Sequence, residues 1–84
     1  MGQRFLVSRA VLEKIIAASD LSKRDTVLEI GPGKGILTAE LAKKAKKVIA
    51  VEKDKRLVEF LKQRFAQAKN IEIIQGDILK TVNY

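Results

Sequence analysis

One stretch constrains this chain more than any other: Val27-Leu28-Glu29-Ile30-Gly31-Pro32-Gly33-Lys34-Gly35. An apolar run carrying one acid breaks into three glycines at alternating positions, and a segment with helical apolar spacing follows. The pattern predicts a strand running into a tight loop that opens a helix. Glycine accepts positive φ and carries no Cβ, so such a loop lets backbone approach a ligand closely. The same residues serve a plain strand-to-helix turn, but three glycines around one proline exceed what a turn requires.

The rest of the chain reads as alternating elements. Ser8 is a good N-cap, with Val7 placed to staple to Leu12, and Val11, Leu12, Ile15 and Ile16 recur at helical spacing. They predict a helix over Arg9–Ala18, followed by a polar turn from Ser19 to Asp25. Thr26–Ile30 is the first strand. Ile36–Lys46 reads as a helix with Leu37, Leu41 and Ala45 on one face, and Glu40 stands four residues before Lys44, a favourable pair. Lys47–Val51 is a second strand, apolar enough to expect burial on both faces. Asp54 caps a third helix whose inward face is Leu57, Leu61, Phe65 and Ala68, with Asn70 as a stop. Ile71–Gln75 is a third strand ending in Gly76-Asp77, and Ile78–Tyr84 is too short to assign.

A helix followed by β-α-β-α-β predicts an α/β fold with right-handed crossovers and a three-stranded parallel sheet in the order 3-2-1. That is half of a doubly wound, Rossmann-like sheet. The chain has 84 residues and so forms a single domain at most, without cysteine or histidine for a disulfide or a structural metal. An apolar fraction of 46% beside 32% charged residues argues for folding over disorder. No apolar run approaches the ~20 residues of a membrane span, and no signal-peptide core opens the chain; the expected location is the cytoplasm. A net charge of +7 suggests an anionic partner, nucleic acid being the commonest. Solubilising lysines, or the Lys and Glu enrichment of a heat-adapted protein, explain the charge equally simply.

In open α/β sheets ligands bind at the carboxyl ends of the strands. Here those ends carry Glu29 with Gly31, Gly33 and Gly35, then Glu52 with its neighbour Lys53, then Asp77. Glu52 lies 21 residues past Gly31, the interval at which an acid meets a ribose in βαβ nucleoside sites. A carboxylate accepts two hydrogen bonds from a diol. The loop is G-x-G-x-G, not the G-x-G-x-x-G of dinucleotide folds, and Glu29 beside it would repel a pyrophosphate. A cationic ligand with an amino group and an adenosine suits the set, and S-adenosylmethionine has those features; Asp77 then faces the adenine amino group. Other roles stay open: Glu29 as a solvated strand residue, Glu52 paired with Lys53 or Lys55, Asp77 as a cap for the following segment. A dinucleotide-binding module is the weaker third reading.

Gly2-Gln3-Arg4-Phe5-Leu6, then Val27 to Thr38, then Ala50-Val51-Glu52-Lys53-Asp54, then Gly76-Asp77 together resemble the ribosomal RNA adenine N6,N6-dimethyltransferases, relatives of the macrolide-resistance methylases. The resemblance spans almost the whole chain and includes a Gly-Gln-x-Phe-Leu start. It implies that Gln3 and Leu6 lie near the methionine end of S-adenosylmethionine and that Gly31 and Gly33 form the floor beneath it. It further implies that Glu52 takes the ribose hydroxyls and Asp77 the adenine amino group, with Ile78 against the ring. Arg4 stands where the family often has Asn or His. The family's Asn-Leu-Pro-Tyr-like motif, which holds the target adenine, has no counterpart in this sequence. The expectation is therefore a truncated S-adenosylmethionine-binding half-domain over residues 1–84, without methyl transfer of its own. The alternative is an isolated or engineered half-domain that self-associates without useful ligand affinity.

A half-sheet leaves Thr26–Ile30 as an apolar edge, a hazard for self-pairing. A homodimer through the first strand or the sheet face is expected, unless Ile78–Tyr84 folds back over the edge. Ribosomal RNA is the partner that the resemblance implies for the full-length family. For this chain, Lys43, Lys44, Lys46 and Lys47 fall at a helix end and complement its dipole, leaving weak, non-specific RNA binding at most.

Overall fold

Short apolar runs separated by amphipathic segments can bury both kinds of surface at once by packing helices on a parallel sheet. In the computed structural model the chain does so. The structure describes residues 9–77, and the side chains of 9 and 11–13 are not among those described. The expectations for Gln3, Leu6, the Val7–Ser8 cap, the Val11 and Leu12 face and Ile78–Tyr84 lie outside the described residues. The elements are α1 (Arg9–Ala18), β1 (Thr26–Ile30), α2 (Ile36–Lys44), β2 (Lys47–Glu52), α3 (Lys55–Arg64) and β3 (Ile71–Gln75).

The sheet is parallel, with β2 between β1 and β3, which is the order 3-2-1 read from the far edge. Two rows of partners, Val27–Val48–Ile71 and Glu29–Ala50–Ile73, share one face. Right-handed crossovers between successive neighbours put α2 and α3 on the same side, and a bond from Thr38 of α2 to Glu29 identifies that side as the face of these rows. Val48, Ala50, Val58 and Leu61 form the core beneath the helices, and α1 packs on α2 with Ile16 buried and Ile15 turned outward.

The other face carries the rows Leu28–Ile49–Glu72 and Ile30–Val51–Ile74. Leu28 and Ile30 are 55% and 56% exposed there. The expected burial of β2 on both faces is thus met fully on one face and on the other only at Val51. Lys47 and Ile49 are half-exposed because no described helix covers that side, and Lys47 Nζ pairs with Glu72 Oε1 at 2.9 Å.

Several boundaries differ from the sequence reading, each for a local reason. Helix α2 stops at Lys44, two residues early, because Ala45 is already extended. The side-chain amide of Asn70 donates to the carbonyls of Ala42 (2.8 Å) and Ala45 (3.4 Å), so it caps α2, not the third helix. Helix α3 ends at Arg64, with Phe65 at its C-cap and Ala68 beyond, and Val58 shares the buried face with Leu61. Asp54 caps it as expected, accepting from Arg56 N–H at 2.9 Å. Glu40 pairs with Lys43 (3.2 Å) one turn along, in place of Lys44. Strand β2 runs on to Glu52, which brings that carboxylate into the ladder, with Glu52 opposite Gln75.

Candidate functional site

The first strand delivers its backbone directly into the glycine loop. Gly31 N–H donates to Val51 O at 2.9 Å, so the ladder to β2 holds until the loop begins. Gly35 N–H then closes a turn onto Pro32 O at 2.9 Å, and Gly35 O accepts from Ala39 N–H in the first turn of α2. Gly31, Gly33 and Gly35 have φ of +69°, +60° and +87°, a region that other residues enter only with strain. Their surroundings differ. Among the described residues, a Cβ at Gly31 or Gly33 would meet nothing within 4 Å, whereas one at Gly35 would stand 2.6 Å from Phe65 Cε2 and 2.9 Å from Leu61 Cδ2. Two glycines thus border open space and the third borders the core.

Glu52 closes the site from the next strand. It is buried, and both oxygens are engaged by backbone: Oε1 accepts from Gly33 N–H at 3.4 Å and Oε2 from Asp54 N–H at 2.9 Å. The expected alternative, pairing with Lys53 or Lys55, gives way to these amide contacts, and Lys53 itself is exposed just after β2. The Glu52 carbonyl accepts from Gly76 N–H at 3.0 Å, which sets half-buried Asp77 at the end of β3 beside the same edge. Glu29, Gly31, Gly33, Glu52 and Asp77 therefore all stand at the carboxyl edge of the sheet.

Glu29 lies half-buried on the helix-covered face and accepts a short hydrogen bond from the hydroxyl of fully buried Thr38. Burial pushes its carboxyl above the ordinary value, and the Thr38 bond partly offsets this by favouring the charged form. No side chain caps α2, whose N-cap is Gly35. A concavity between α1 and α2, lined in part by Lys14, Ile16, Glu40 and Lys43, shares no residue with this edge. No group of three or more His, Cys, Asp or Glu suited to a metal ion occurs among the described residues.

Sequence reasoning missed three contributors. Thr38 was detectable, since it falls three and seven residues before Leu41 and Ala45 on the inward face of α2. Phe65 and Arg64, which meet the loop from thirty residues away, carry no local signal.

Comparison with known proteins decides the family. The ribosomal RNA adenine dimethylase family matches residues 1–84. The chain belongs to that family. A ribosomal RNA small subunit methyltransferase A from Dehalococcoides mccartyi is 53% identical over 81 residues, 96% of this chain and 28% of the relative. The crystal structure of the 23S rRNA methyltransferase ErmE superposes with a TM-score of 0.84 at 36% identity, covering 96% of this chain and 33% of that one. A dimethyladenosine transferase from Plasmodium falciparum gives 0.80 at 40% identity, covering 96% and 30%. The chain thus spans about a third or less of the length of these relatives. The three-stranded parallel sheet with its helices is the Rossmann-like methyltransferase fold of those two structures. Among the described residues no helix is long and apolar enough to cross a membrane.

Proposed function

We propose that this chain binds S-adenosylmethionine at the carboxyl edge of its sheet, as the cofactor-binding portion of a ribosomal RNA adenine dimethyltransferase. One observation carries the reading: two positive-φ glycines with open space where side chains would be, bonded through Gly33 N–H to a buried carboxylate on the adjacent strand. That is room for a ligand beside an acceptor for its diol. Gly31 and Gly33 form the floor, Glu52 takes the ribose hydroxyls, Asp77 the adenine amino group, and Glu29 favours the cationic amino-acid end. Gly35 contributes by shaping the loop, and Lys53 borders the ribose acid. Gln3, Leu6 and Ile78 complete the set by resemblance. When bound, the cofactor supplies a methyl group on a sulfonium; the target is an adenine of ribosomal RNA, the substrate class that the family name states.

Calorimetry with S-adenosylhomocysteine tests the reading. Glu52→Gln keeps the volume and one acceptor for the loop but loses the second acceptor for a diol. We expect at least about tenfold weaker binding, the loss of one charge-assisted hydrogen bond (~1.5–3 kcal/mol). No heat from the unchanged chain at millimolar ligand, or equal affinity in the variant, overturns the assignment.

The open sheet face favours a second reading, a self-associating domain. Leu28 and Ile30 of β1 and Ile74 of β3 stand exposed on that face, with half-buried Ile49 of β2 between the strands, and an exposed apolar patch of that kind marks an interaction surface. The homodimer covers this face or pairs β1 with its copy. A monomer by light scattering at high concentration sinks it.

A further inference from the structure

The glycine loop is held from behind by a group that the cofactor reading does not use. Arg64, the last residue of α3, donates from Nη1 to the Lys34 carbonyl at 2.6 Å. Its guanidinium carbon lies 5.2 Å from the ring centroid of Phe65. That same ring, with Leu61 behind it, fills the space beside Gly35 where a Cβ would stand. A cation also suits this position, since the C-terminal end of a helix carries partial negative charge. The last turn of α3 therefore clasps Lys34-Gly35, while Gly31 and Gly33 on the other half of the loop face open space. Gly35 N–H, bonded to Pro32 O at 2.9 Å, links the two halves.

We propose that Arg64 is a positioning residue for the glycine loop, fixing with Phe65 the backbone shape that Gly31 and Gly33 present to the nucleoside ligand. This rests on reading the loop as the cofactor site. The logic is preorganisation: apparent affinity falls in proportion to the fraction of molecules whose loop is already in the binding shape. Arginine suits the task better than lysine, because a planar fork can stack on a ring and donate to a carbonyl at once.

The test uses the full chain with Arg64→Ala and Arg64→Lys. Amide hydrogen exchange at Gly35 is read against the α3 amides of Val58 and Leu61, so that general destabilisation moves both and cancels. Arg64→Ala is expected to speed Gly35 exchange about tenfold relative to those references and to weaken S-adenosylhomocysteine binding about fivefold, with Arg64→Lys between. Unchanged relative exchange at Gly35 overturns the proposal whatever the ligand does. Faster exchange with unchanged affinity overturns the positioning role. If the unchanged chain binds no ligand, the cofactor reading fails, and the exchange at Gly35 still decides whether Arg64 holds the loop.

Discussion

Replacing Gly35 by alanine separates the two jobs that the loop glycines perform. Two costs act at this position. An L side chain at φ +87° sits in the left-handed region, at roughly 1–2 kcal/mol. Its Cβ also meets Phe65 Cε2 at 2.6 Å and Leu61 Cδ2 at 2.9 Å. Leu61 is fully buried and has nowhere to withdraw, whereas half-buried Phe65 can rotate outward at the expense of its contact with Arg64. Overpacking of this kind costs about 1–3 kcal/mol, so Gly35→Ala should lose about 2–5 kcal/mol in total. Gly33→Ala, with no described residue within 4 Å of its Cβ, bears the backbone cost alone. The gap between the two variants is the steric part, equivalent to about 4–24 °C in Tm for a domain of this size. Urea denaturation followed by circular dichroism reads it directly, provided that the m-values agree. Shortening the ring in Gly35→Ala/Phe65→Leu should restore part of the steric loss, and a double-mutant cycle isolates that coupling. Equal midpoints for Gly35→Ala and Gly33→Ala would refute the argument that the third glycine is there for packing.

Two further perturbations probe the polar contacts. Burial raises the Glu29 carboxyl above its ordinary value. The folded state therefore holds its proton to higher pH than the unfolded chain does, and the group's contribution to stability is greatest below the ordinary value and is lost as pH rises through the folded one. Glu29→Gln, which still accepts from Thr38, should become more stable relative to the unchanged protein as pH rises through that window; a difference between their urea midpoints that stays constant with pH contradicts the assignment. Asn70→Ala removes the donor that satisfies the Ala42 and Ala45 carbonyls at the end of α2. It should cost about 1–3 kcal/mol, with faster amide exchange in the last turn of α2 as the local signature.

The elements themselves were legible in the sequence because their signals are local. Helix α1 and strands β1 and β3 fall where alternation and punctuation place them, and Asp54 caps α3 through a bond two residues along. The departures come where a distant group decides. Asn70 reads as the end of the helix before it, yet its amide reaches back 28 residues in sequence to stop α2 at Lys44. Phe65 and Ala68 continue the apolar spacing of α3, but the helix has ended by then, and Phe65 instead packs against Gly35. At the site, the types and spacing of Glu29, Gly31, Gly33 and Glu52 were readable. That Glu52 spends both oxygens on backbone amides was not, because it depends on how far β2 runs and on where the loop amide points.

These departures bear on how the G-x-G-x-G spacing is to be understood. A motif of alternating glycines invites one explanation for all three, closeness to a ligand. The loop meets two different surfaces in succession: open space at Gly31 and Gly33, then the ring and leucine of α3 at Gly35. The requirement for glycine is common to the three positions only in φ, which all hold between +60° and +87°. Sterically, the third is glycine because α3 stands against it, whereas the first two have that reason only under the proposed reading, in which a ligand comes near them. A helix that packs this closely behind the loop can hold it with a single arginine. The loop is thus held from two sides, by Val51 and Glu52 through the N–H groups of Gly31 and Gly33 and by α3 through Lys34 and Gly35.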